Sequence, residues 1–108
     1  MKNRLTLVFL IAFGNVSLSF SQAVEAPTYY VTIGVFAKLD NALHYTEKAN
    51  KSNFSAQYAI NQPRKLYYVY LLETTDRKKA FAFMIKMRAE TEYKDAWLFI
   101  GKLGEEQV

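Results

Sequence analysis

The residues of this chain best suited to chemistry are, but for one threonine, aromatic, and they stand two positions apart. Tyr30 with Thr32, Tyr68 with Tyr70, and Trp97 with Phe99 each lie inside an apolar run. In an extended strand that spacing puts both members of a pair on one face. Rings sharing a face form an apolar platform with polar tips, which suits a ligand with a flat apolar side. The chemistry this pattern offers is recognition, not bond cleavage.

Catalytic groupings are missing from the rest of the sequence. His44 is the only histidine, with Asp40 four residues before it at salt-link spacing on a helix. With no cysteine and no second histidine, it lacks partners for a metal site or for general base work. Arg77, Lys78 and Lys79 open a helix at its unfavourable end for cations and read as a solvated charge run or an anion contact. Glu90 with Glu92 and Glu105 with Glu106 are surface acids. No enzyme, metal or cofactor is expected.

The N-terminus is set apart from these residues by its composition. Lys2 and Arg4 precede the apolar run Leu5–Phe13, followed by Gly14, spaced serines and the small positions Ser21 and Ala23. This is the layout of a secretory signal peptide over residues 1–23, with an uncleaved anchor as the alternative. The run is shorter than the roughly 20 residues of a membrane span, so no stable span is expected after cleavage. The formal charge of +4 falls to +2 once Lys2 and Arg4 leave, which argues against a nucleic-acid partner. The expected location is outside the cytoplasm. Without cysteine, the exported domain must rely on its core alone.

The remaining chain alternates between two hydrophobic periods. Tyr29–Phe36 reads as strand one, and Asp40 caps a helix to about Lys51 with Leu39, Ala42, Leu43, Thr46 and Ala49 on its buried stripe. Phe54–Ile60 is a second strand, Asn61–Arg64 the connection broken by Pro63, and Lys65–Thr74 a third strand. Thr75 or Asp76 caps a second helix burying Ala80, Phe83, Met84, Met87 and Thr91; Asp95–Ile100 is strand four. A polar tail closes the chain. Tyr29-Tyr30-Val31 recurs as Tyr67-Tyr68-Val69 after 38 residues, and Ala42 recurs as Ala80. This duplicated βαββαβ order predicts an α+β, ferredoxin-like fold. Its four-stranded antiparallel sheet has order 4-1-3-2, with both helices on one face.

Strict alternation then divides each strand. Val31, Ile33 and Val35 are expected in the core, with Tyr30, Thr32, Gly34 and Phe36 opposite. On strand three Val69 and Leu71 are expected inward, and Tyr68, Tyr70 and Leu72 outward. On strand four Ala96, Leu98 and Ile100 are expected inward, and Trp97 and Phe99 outward. The outward rings gather on one uncovered face, and an apolar patch of that kind marks a ligand or partner. Nucleobases stack on such faces in RNA-recognition modules, but their signature is absent from LYYVYLLE and export argues against RNA. A pyranose ring fits the same platform. The other readings are an envelope or secretion protein docked on this face, a second copy, or rings packed beneath the tail or the lead-in.

The stretch YYVTIGVFAKLDNAL resembles the opening of a SPOR domain through Tyr30, Val31, Ile33, Gly34, Phe36 and Ala42. YYVYLL and Asp95–Ile100 are similar to the family's second-half and closing strands, and the resemblance spans about residues 28–103, leaving 104–108 as tail. It implies a peptidoglycan-binding module of the bacterial envelope, often acting at cell division. Binding would use the sheet face opposite the helices and favour glycan strands stripped of peptide. By matching positions, the carried-over contacts fall on Thr32 and Tyr68. Thr32 stands where the family often has Gln, and Leu72-Glu73-Thr74 replaces its Gly-Pro. Tyr30, Tyr70, Trp97 and Phe99 join the expected glycan site from strand parity.

Overall fold

The computed structural model describes residues 26–104. The signal peptide expected over residues 1–23, and the tail from residue 105 onward, lie outside the described residues. Six elements follow in the expected order: β1 (Thr28–Phe36), α1 (Leu39–Lys51), β2 (Gln57–Asn61), β3 (Leu66–Thr74), α2 (Arg77–Glu90) and β4 (Trp97–Gly101). The strands form one antiparallel sheet of order β2-β3-β1-β4, which is the expected 4-1-3-2 counted from the other edge. Ala42 and Ala49 of α1 and Ala80, Met84 and Met87 of α2 share one core with Val31, Val69 and Leu71. Both helices therefore cover the same side of the sheet.

The 38-residue repeat has a direct physical meaning. Val31 and Val69 are fully buried at corresponding points of the two central strands, each contributing about 1.5–3 kcal/mol by leaving water. Ala42 and Ala80 are the matching contact points of the helices, both without exposed surface. A small side chain there lets each helix approach the sheet closely. Asp76 caps α2 by accepting from the Lys79 amide at 3.1 Å. The start of α1 differs from expectation: it begins at Leu39, so Asp40 lies inside the first turn and Leu39 is exposed. A carboxylate there still favours the helix N-terminus.

Strict alternation fails at two bulges, and each failure has a residue behind it. Between Thr32 and Gly34 the register against β3 slips, leaving Ile33 as an extra residue on β1. One extra residue exchanges the faces of everything after it. Val35, expected in the core, pairs with Tyr68 and is 37% exposed. Phe36, expected outward, turns beneath the sheet and meets the Tyr45 ring of α1 at 5.1 Å. The Tyr45 hydroxyl donates to the Ile33 carbonyl at 3.3 Å, which gives the bulge's backbone a partner. On β3 the slip at Leu71 sends Leu72, expected outward, opposite Val31 and against the core.

The shorter strands were overextended in the expectation. β2 begins at Gln57, while Phe54 packs on Tyr93 at 5.1 Å instead of joining the sheet. β4 begins at Trp97. Ile100 shares the register face of Tyr29 as expected, but at the sheet edge it is 56% exposed.

Candidate functional site

The cross-strand register assembles the candidate site row by row. Thr32 of β1 stands between Tyr70 of β3 and Trp97 of β4, and in the next row Tyr30 stands between Glu73 and Phe99. Tyr68, opposite Val35, leans across toward β4. Residues directly opposite in an antiparallel ladder share a face, so Tyr30, Thr32, Tyr68, Tyr70, Trp97 and Phe99 lie together on the side away from the helices. Strand parity held for these six because β1 and β4 pair in register through Thr32, ahead of the bulge.

The rings pack on one another mostly edge to face. Tyr30 meets Tyr70 at 5.0 Å between centroids and Phe99 at 5.9 Å. Tyr68 meets Phe99 at 5.1 Å and Trp97 at 5.8 Å. These contacts bury what was expected to be open: Tyr30, Tyr68 and Tyr70 are 4%, 3% and 7% exposed, and Thr32 is fully buried. The Thr32 hydroxyl turns back to the Tyr30 carbonyl at 3.2 Å and forms the floor of the cluster. Trp97 and Phe99 are half-buried and form its accessible margin.

Of two further features of the site, the first falls within the alternative reading of rings packed beneath the tail, and the second was not anticipated. The segment after β4 crosses the aromatic face: the Leu103 amide donates to the Tyr30 hydroxyl at 3.2 Å, and the Gly104 amide donates to the Ile60 carbonyl of β2, the opposite edge strand, at 2.7 Å. Leu103, an apolar residue between Gly101 and Gly104, was the sequence signal for it. The second feature is a cleft of about 480 Å³ beside Tyr70, where β3 runs on past the start of β2. Thr28, Ser55, Gln57, Glu73 and Thr74 line it with hydrogen-bonding groups.

Tyr70 joins the cleft to the ring cluster. Its hydroxyl donates to Gln57 Oε1 at 3.3 Å. Burial first, then the nearby Glu73 carboxylate and Tyr30, push its pKa up to about 12 from the usual 10.0. Tyr70 is therefore a neutral hydrogen-bonding group at any physiological pH. His44 sits exposed on α1, away from this face. Among the described residues no group of three or more His, Cys, Asp or Glu side chains is placed to hold a metal ion.

No curated protein and no solved structure matched the chain. A family model did: that of the SPOR domain, over residues 25–99. The matched span begins just ahead of β1 and ends within β4, so it takes in β1 to β3, both helices and the start of β4. SPOR domains are peptidoglycan-binding modules found in bacterial envelope proteins. On that match, which covers well over half of its length, this chain belongs to the SPOR domain family.

Proposed function

We propose that this chain is an exported peptidoglycan-binding module that holds a glycan strand along the sheet face opposite its helices. The single observation that supports this most is the convergence of Tyr30, Thr32, Tyr68, Tyr70, Trp97 and Phe99 on that face, beside a cleft lined in part by hydroxyl and amide groups. A pyranose ring has a C–H face that rests on an aromatic ring and an equatorial rim of hydroxyls that needs partners. Trp97 and Phe99 supply the stacking margin. Tyr70, Gln57 and Glu73 supply donors and acceptors, and Thr32 supports the rings from below. The site acts by binding, with no catalytic step assigned to it.

The signal peptide at residues 1–23 would deliver the domain to the envelope, where glycan strands are found. Among the described residues no helix is long and apolar enough to cross a membrane. A role at division sites follows from the family and is part of the same proposal.

Co-sedimentation with purified sacculi tests the reading. The expected result is retention of the wild-type chain and loss of retention in the Tyr70→Ala/Trp97→Ala double variant, with an unchanged circular dichroism spectrum. A wild-type chain left in the supernatant would overturn it. Co-purification of a stoichiometric protein that survives glycan digestion would instead identify the face as a protein-docking surface.

A further inference from the structure

We propose that Lys102–Gly104 is a displaceable strap, which engages the aromatic face at Tyr30 in the resting chain and must lift before a glycan strand can lie on Tyr30. The inference rests on the glycan reading above and concerns access to the same site. Its basis is geometric. The strap leaves β4 at one edge of the sheet and is tied to β2 at the other, bonding on the way to a hydroxyl of the ring cluster. The Tyr30 hydroxyl, a polar tip that a sugar would need, is thus engaged by the chain itself.

The attachment is light. One bond ends on a side-chain hydroxyl at 3.2 Å, and the other depends on Gly104 at φ +109°, a conformation that glycine adopts freely and other residues resist. Nothing lies within 4 Å of where a Gly104 side chain would begin, so no side chain of this residue could anchor the strap from that direction. Lys102 is exposed and Leu103 only half-buried. A short segment with so little buried surface belongs to the low-stability end of a structure, where local opening is frequent. If only the open form binds, apparent affinity is reduced by the fraction of chains in that form.

Two variants separate covering from gating. Gly104→Pro removes the amide that reaches Ile60 and cannot adopt the observed φ; a chain ending at Gly101 removes the strap altogether. Both are compared with the intact chain by nitration of Tyr30, mapped by mass spectrometry without glycan, and by affinity for purified sacculi. The expected result is greater nitration of Tyr30 and binding about tenfold tighter in both variants. Unchanged nitration would overturn the proposal, and so would more reactive Tyr30 with equal or weaker sacculus binding, because the strap would then belong to the seat. Greater nitration with no binding by any form would leave the cover established and remove the glycan reading instead.

Discussion

Tyr30 and Tyr70 meet edge to face, with ring centroids 5.0 Å apart and planes inclined by 77°. The contact joins the two central strands above the buried Thr32 and sets the Tyr70 hydroxyl between Gln57 and Glu73. Burial of Tyr70 is the main obstacle to loss of its proton, and the charge formed would also stand near the Glu73 carboxylate and Tyr30. That is why its folded-state pKa rises to about 12, above the usual 10.0. The native state then holds the proton more tightly than the unfolded chain. The associated stability is complete below about pH 10 and is lost as pH rises toward about 12. Burial raises Tyr45 and Tyr93 in the same direction, with Glu92 adding to both. Urea midpoints are expected to fall above pH 10, and less steeply in Tyr70→Phe. An identical alkaline slope in that variant would contradict the assignment.

Asn50 clamps the entry to β2. Its side-chain amide donates to the Ala56 carbonyl at 3.2 Å, and its oxygen accepts from the Ala56 amide at 2.6 Å. One side chain thereby ties the end of α1 to the backbone leading into Gln57, which reaches Tyr70. Asn50→Ala leaves both backbone groups without that partner and should cost about 1–3 kcal/mol. Asn50→Asp keeps the acceptor alone and should fall between wild type and alanine. Equal stability of wild type and alanine in chemical denaturation would show that water replaces the clamp without loss.

Thr32 is the site residue whose role the structure changes most. Its position matches the family's frequent Gln, yet it has no exposed surface and its hydroxyl is bonded to Tyr30 within the same strand. As a floor residue it supports the rings without reaching a ligand. Thr32→Val keeps the shape and removes the hydroxyl, so sacculus retention should stay at the wild-type level while stability falls by about 0.5–1.5 kcal/mol. A large loss of retention at unchanged stability would restore the hydroxyl as a direct contact.

The element order, strand order and helix side were legible because Val31, Val69, Ala42 and Ala80 state the pseudo-twofold repeat in the residue string itself. The six clustered residues were legible because each pair lies on one side of a bulge. Faces beyond the bulges were not. Alternation has no means of announcing an extra residue, and Ile33 reads like any other β-branched core position. The partner that supports its carbonyl, the Tyr45 hydroxyl, is 12 residues away on a helix. Packing of the rings beneath the tail was an alternative reading, but the attachments of the strap were equally hidden. Its two bonds join Leu103 to Tyr30 across 73 positions and Gly104 to Ile60, and neither leaves a local pattern.

Gly34 offers the most direct test of the bulge. Its φ is not positive, so the backbone alone does not demand glycine there. Space does. A Cβ at this position would lie 2.9 Å from Cε2 of Phe36 and 3.0 Å from Cε2 of Tyr45. The bulge turns Phe36 under the sheet, and the Tyr45 ring is held by its bond to Ile33, so the two aromatics fill the volume that an alanine methyl would need. Gly34→Ala should therefore destabilise the fold by about 1–3 kcal/mol through overpacking. If the Phe36 ring is the obstruction, that penalty should shrink in a Phe36→Leu background, where a smaller side chain leaves room. Chemical denaturation of the two single variants and the double variant gives the coupling between the positions. A Gly34→Ala penalty of the same size with and without the Phe36 ring would rule out steric conflict with that ring as the reason glycine occupies this position.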